Sequence, residues 1–330
     1  MKSSIHSMTL VGSVLVASFA ASAFAQDASV ATEKKADQVS TESFSSVIPE
    51  GQTLPKGVLR ARIKSQGSLN GSHVSYDKDG KKVDNMKEHN STYSALALAY
   101  GLTNSLSLEV AAPFVHRNEA DVKTPFGTKK VDGETGLSDI EAGLMYNIIG
   151  TKDLFVSAAV GVRAPTGRYA DVDQMSSIQS GRGAYDAGLR LNLDYQVVEG
   201  LWTSVQHQEE MELDSVKNTK ADTRFQKKGF TRKSFVQLAY GLGALHQSMK
   251  AFSVKSRYAY EKDAEVRSQK TGEVTSKAAR AHKLGFGAGI DGRGYNVPVS
   301  LEGMYFTPVG GRDTTLTRDV QVTLSTYVQI

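Results

Sequence analysis

About twelve segments between residues 56 and 330 alternate apolar with polar side chains, and past residue 25 no apolar run reaches the length of a membrane helix. A period of two places neighbouring side chains on opposite faces of a strand, so each segment has one apolar and one polar face. In SDIEAGLMYNI, Ile140, Ala142, Leu144, Tyr146 and Ile148 oppose Asp139, Glu141, Gly143, Met145 and Asn147. In AYDAGLRLNLDY, Tyr185, Ala187, Leu189, Leu191, Leu193 and Tyr195 oppose Asp186, Gly188, Arg190, Asn192 and Asp194. KGVLRARIKS, STYSALALAY, SLSLEVAAPF, LFVSAAVGVRA, SFVQLAYGLG, KAFSVKSRYAYE, HKLGFGAGI, VPVSLEGMYF and the terminal DVQVTLSTYVQI follow the same rule, and only the stretch from Trp202 to Met211 follows it weakly. Strands that enter hydrocarbon must close into a cylinder, because an open edge would leave backbone groups unpaired there.

The connections separate a membrane barrel from a soluble sandwich. After odd-numbered strands they are long and polar (66–90, 117–136, 168–183, 213–232, 262–280, 308–318). After even-numbered strands they are tight: GLTNS, IIGTKD, VVEG, ALHQS and DGRGYN. Outer-membrane barrels have this asymmetry, with short periplasmic turns and long external loops. The expected fold is therefore all-β, a transmembrane antiparallel up-and-down barrel of about twelve strands over residues 55–330. In such a wall the last strand pairs with the first, which explains an apolar segment at Asp319–Ile330 with no capping tail.

The amino terminus agrees. A basic start at Lys2, an apolar run from Met8 to Ala21 and Ala23-Phe24-Ala25 read as a Sec signal peptide over 1–25, cleaved before Gln26. Residues 26–54 are polar without a period and read as a periplasmic leader, with a plug folded into the barrel as the sharper alternative. The expected location is the bacterial outer membrane, with outer-membrane lipid and, through the terminal strand, the barrel assembly machinery as partners. The formal net charge of +4 is scattered, which argues against nucleic acid. The absence of cysteine excludes disulfides and thiolate metal sites.

Parity assigns a mixed set of charges to the lumen: Arg60, Arg62, Lys64, Arg163, Arg190, Lys255 and Arg257 against Glu109, Asp139, Glu141, Asp186, Asp194 and Glu302. These form either a selective constriction or an internal salt-bridge network, and the two signs on neighbouring strands favour the network. Gly241, Gly243, Gly285, Gly287 and Gly289 share the inward parity, where missing side chains either open a passage or admit another segment. Tyr100, Tyr146, Tyr195 and Tyr240 each close the outward face of a strand near a tight turn, as an interfacial aromatic girdle would.

GLTNSLSLEVAAPF (101–114), TGLSDIEAGLMYNI (135–148), LFVSAAVGVRAPTGRY (154–169) and GAYDAGLRLNLDYQV (183–197) resemble a family of bacterial outer-membrane transporters linked by name to phenol meta-pathway degradation. The shared features are a Gly-Leu-Thr turn, a Gly-Leu-Gly-Asp strand opening and a Pro-Thr-Gly strand end. Ser138 replaces the second glycine of that opening, and Asn104 stands where an acidic residue is common. The resemblance covers roughly residues 92–330. It implies a barrel that transports small, hydrophobic or aromatic solutes.

The expected function is porin-like passage of a small-molecule permeant, with a non-conducting, surface-interaction barrel as the alternative and a lipid-modifying enzyme as the remote one. Gly287-Ala-Gly-Ile-Asp-Gly292 matches GxGxxG, but a strand rather than a helix is expected to follow, so no nucleotide and no other cofactor is implied. His116, His207 and His282 lie near strand ends with no spacing that fixes a serine and an acid beside them, so no catalytic residue is assigned. No His/Asp/Glu cluster has metal-ligand spacing.

Overall fold

The structure is a computed structural model that describes residues 51–69, 74–83, 91–117, 120–124, 127–131, 135–167, 183–215, 225–268 and 272–330. Its frame is twelve strands: β1 (Val58–Ser68), β2 (Ser91–Gly101), β3 (Leu106–Arg117), β4 (Ile140–Gly150), β5 (Leu154–Ala164), β6 (Ala184–Val198), β7 (Leu201–Ser215), β8 (Phe230–Gly241), β9 (Phe252–Lys262), β10 (Arg280–Asp291), β11 (Val299–Arg312) and β12 (Asp319–Gln329). Each pairs antiparallel with the next in sequence. β1 also pairs with β12 along its whole length, from Val58↔Gln329 to Ser68↔Asp319. The cylinder is closed and no frame strand keeps a free edge.

The wall is inverted relative to a soluble protein. Outward residues are large and apolar: Val160 is 57% exposed, Val162 56% and Phe286 53%. Their sequence neighbours point inward and are buried although polar, as with Ser157, Asn192 and Asp194. A contiguous apolar exterior is not stable in water, and in a closed barrel it is the lipid-facing band. Among the described residues the interior holds a small apolar cluster, Trp202 against Ala239 with Phe155 stacked at 6.1 Å between ring centroids.

Tight turns gather at one end. Gly200, with φ +79°, lets β6 reverse into β7, and a Cβ there would stand 2.7 Å from that of Ala244. Short strands decorate the other end: Val74–Tyr76 with Lys82–Val83 and Thr314–Leu316, Ala120–Thr124 with Gly127–Val131, and Phe225–Lys228 with Glu265–Ser268 and Val274–Ser276.

Four expectations change. The weakly patterned stretch is a full strand, Leu201–Ser215, because Trp202 lies inside while His207 and Glu209 lie on the outer face. β8 stops at Gly241, where the chain enters a 3-10 turn at Leu242–Ala244. Gly243 is therefore in that turn, packed on Lys250, and does not face the lumen. Asp139 precedes β4 rather than lying within it. The signal peptide and residues 26–50 of the leader lie outside the described residues.

Candidate functional site

Register builds the lumen. One row of directly paired residues runs from Arg60 through Ala99, Glu109, Gly143, Gly161 and Gly188 to Glu210, crossing β1 to β7. Three successive strands thus present glycine at one height, with an acid at each end of the run. Inward residues on β2, β3 and β5 beside this row are also small: Ala97, Ala111 and Ala159. Their combined deficit of side-chain volume leaves a cavity of about 240 Å³ on this half of the barrel.

Long charged side chains from the adjoining rows line that space. Arg163 is the hub: its Nη1 donates to Asp186 Oδ2 at 2.6 Å, its Nε to Glu141 Oε1 at 2.8 Å, and its Nη2 lies 3.3 Å from Glu210 Oε1. Lys233 Nζ reaches the same Glu210 oxygen at 2.9 Å. A second group forms around Glu109, which accepts from Arg190 Nη2 at 2.7 Å and from Arg60 Nη2 at 3.5 Å. The Nε atoms of Arg62 and Arg190 are buried with no acceptor among the described residues. The cavity thus has an arginine-rich side and a carboxylate-rich side. Charges removed from water remain ionised only when paired and hydrogen-bonded, which this network provides for most of them.

Across the lumen, the space beside two inward glycines is occupied. A Cβ on Gly285 would come within 2.5 Å of the Phe306 ring, and one on Gly287 within 2.6 Å of the Met304 side chain. These inward glycines admit bulky side chains from β11 and open no passage. Lys255 pairs with Glu302, and Lys283 with Asp319. Arg257 donates to Gln237 Oε1 and lies 4.2 Å from the Phe235 ring centroid.

The short-turn end is crossed by the chain itself. Gly51 donates its N–H to Asp194 Oδ2 at 2.7 Å on β6. Leu54 donates its N–H to Ser107 Oγ at 2.9 Å on β3, and Thr53 Oγ1 donates to the Asn104 carbonyl at 3.1 Å. Thr53 and Leu54 are buried, and Gly51 sits so tightly that a Cβ would be 2.7 Å from that of Asn192. The segment runs from the foot of β1 to the far side of the mouth.

Sequence parity therefore locates Arg60, Arg62, Glu109, Glu141, Arg163, Asp186 and Arg190 around one cavity. Lys64 lies further up the same face of β1, opposite Thr323 and Ala95. Asp194 is at the mouth instead, holding Gly51. Asp139 accepts from the N–H of Gly167 and anchors the connection after β5. Tyr100, Tyr146, Tyr195 and Tyr240 all lie on the outer face near the short-turn end, beside Leu108, Leu106, Leu154 and Leu201 respectively. Parity missed Glu210 because β7 was weakly patterned, and Lys233 because β8 begins at Phe230, ahead of the SFVQLAYGLG segment read from the sequence. It also missed the glycine row, which only register brings together.

GAGID of the glycine motif lies within β10 and ends in a short 3-10 turn, so no helix N-terminus is available for a phosphate. The histidines do find partners. His207 Nδ1 lies 2.8 Å from Ser234 Oγ and its Nε2 3.5 Å from Glu209, on the outer wall, contrary to the expectation that nothing brings such groups together. The surrounding backbone belongs to the β6, β7, β8 and β9 ladders, which occupy the N–H groups that an oxyanion would need.

A closed twelve-strand antiparallel cylinder with an apolar exterior and a charged, partly open lumen is a bacterial outer-membrane β-barrel. The chain belongs to the family described as "Putative MetA-pathway of phenol degradation", which it matches over residues 64–292. Its fold is similar to that of the COG4313 outer membrane channel from Pseudomonas putida F1, with a TM-score of 0.67 and 16% identity over 85% of this chain and 99% of that one. Weaker likenesses include the Ralstonia pickettii toluene transporter TbuX (TM-score 0.40, 10% identity, 84% and 90% covered) and the KdgM porin (0.42, 7%, 82% and 98%). No curated protein sequence matches the chain.

Proposed function

We propose that the protein is a narrow channel for passive entry of small solutes, with its short-turn end in the periplasm and its long loops outside. The observation that carries this reading is the lumenal cavity of about 240 Å³ beside Gly143, Gly161 and Gly188. An internal network needs charged partners but has no need of such a gap. The arginine-rich side of the cavity, lined by Arg60, Arg62 and Arg190, suits a carboxylate or phenolate. The family's description, with its reference to phenol degradation, agrees with small aromatic acids as permeants.

In this reading residues 51–54 partly close the periplasmic mouth, and the four tyrosines form the girdle at that interface. The assembly machinery engages β12, whose partner β1 is distant in sequence. Enzymatic chemistry at Ser234 is disfavoured because the ladders around it already occupy the backbone N–H groups of the described strands.

The test is single-channel recording in planar bilayers. Gly188→Phe adds a ring at a site where a Cβ meets nothing closer than 3.5 Å, so the wall tolerates the change while the cavity fills. Conductance in the wild type that falls sharply in Gly188→Phe supports the channel. No conductance in either the wild type or a form lacking residues 26–54 leaves the non-conducting barrel as the answer.

A further inference from the structure

The outer wall carries a row of cations at its long-loop rim. Arg232 on β8 pairs in register with Lys262 on β9, Lys262 with Arg280 on β10, and Arg280 with Arg312 on β11. Four adjacent strands therefore place a positive side chain in one row of the ladder, over a span of about 14 Å given strand spacings near 4.8 Å. Arg232, Lys262 and Arg280 have the outward parity of their strands, the bulge between Pro308 and Gly310 turns Arg312 to the same face, and Arg280 and Arg312 are exposed. Like charges directly opposite one another repel, so a sheet has no internal reason to assemble this row. Among the described residues, acids pair with its ends: Glu209 lies 2.7 Å from Arg232, and Asp313 4.0 Å from Arg312. Lys262 and Arg280 make no ion pair with any described residue.

What lies below and above the row identifies its ligand. Immediately below is a polar and aromatic layer in which Tyr258 Oη stands 2.6 Å from His282 Nδ1 and the Tyr260 and His282 rings are 5.1 Å apart. Beneath that layer the wall is the apolar band, with Val236, Leu238 and Phe286 exposed. Above, a groove of about 660 Å³ is lined by Lys228, Arg232, Lys262 and Arg267, with Glu265 beside Arg267 the one acid in its lining. A ligand that fits must lay acyl chains on the apolar wall and put multiple negative charges at the rim. We infer that this face binds the phosphorylated glycolipid of the outer leaflet, its phosphates held by the Arg232–Lys262–Arg280–Arg312 row. Arginine and lysine are the side chains that hold phosphate, and a membrane surface delivers it at this height. The inference rests on the long loops facing outward and is independent of conduction.

The experiment is native mass spectrometry of the detergent-folded protein with diphosphoryl lipid A and phosphatidylglycerol as probes. The wild type is expected to retain diphosphoryl lipid A in preference to phosphatidylglycerol. In the Lys262→Gln/Arg280→Gln double variant the lipid A affinity is expected to fall roughly thirtyfold, the loss of two cation–phosphate attractions at the surface. Heat-modifiable migration on a gel reports folding of the variant, and its conductance should equal that of the wild type. Lys262→Gln alone, expected to give a partial loss, serves if the double variant does not fold. Equal lipid A retention by wild type and variant, equal retention of the two lipids, or no retention of lipid A by the wild type each overturns the assignment.

Discussion

The backbone N–H of Gly51 donates to Asp194 Oδ2 at 2.7 Å, joining a residue that precedes the first strand to one at the foot of the sixth. That bond ties the incoming chain across the mouth at the short-turn end. Deleting residues 26–54 is expected to raise single-channel conductance, and Gly51→Leu should do so in part, since even a Cβ at this position would clash with Asn192, Asp194 and Ser157. Recordings that show no change in either form would mean that the segment does not obstruct the path.

Arg163 answers Glu141, Asp186 and Glu210 at once, with its own side chain 11% exposed. Arg163→Met is expected to destabilise the barrel by about 3 kcal/mol, the low end for a broken buried pair because Glu141 remains partly solvated. The urea midpoint of the refolded protein measures this. The uncompensated carboxylates should also shift ion selectivity toward cations, readable as a change in reversal potential under a salt gradient. Adding Asp186→Asn should recover part of both effects.

Phe306 occupies the space that Gly285 leaves. Gly285→Val is expected to cost about 1–3 kcal/mol through overpacking against that ring. Combining it with Phe306→Ala should restore much of the loss, and a double-mutant cycle on unfolding midpoints gives the coupling. Additive effects would show that the two side chains do not compete for one volume.

Outside the membrane, the Asp77 carboxylate is held below its ordinary value of 3.8, chiefly by the hydrogen bond it accepts from the Lys81 N–H, with another from Asp79. A depressed value means that the turn's stabilisation is present above the unfolded carboxylate pKa and is lost as pH falls through the folded one. NMR titration should place the Asp77 carboxylate midpoint below 3.8, and Asp77→Asn should abolish the acid-induced opening of this turn.

Most of the wall was legible because lipid and lumen impose opposite chemistry on alternate residues. β7 blurred for a physical reason: the outer face that reads Thr203, Val205, His207, Glu209 and Met211 approaches the polar rim and mixes both kinds. With it went Glu210, whose partner Arg163 lies on β5, 47 residues away. Arg190 and Glu109 meet across the lumen from β6 and β3, a pairing that depends on barrel curvature and rotamer reach, neither of which a one-dimensional pattern carries. The inward glycines of β10 were correctly oriented by parity, yet whether they opened a path depended on how far Phe306 and Met304 extend.

The ladder between Val58 and Gln329 has an assembly consequence. Every other seam of the cylinder joins strands that follow one another along the polypeptide and can zip as hairpins do. This one must wait until its two halves, made first and last, find each other. Until then the nascent sheet has two raw margins at membrane depth, so whatever escorts the protein into the bilayer has to shield both until they meet.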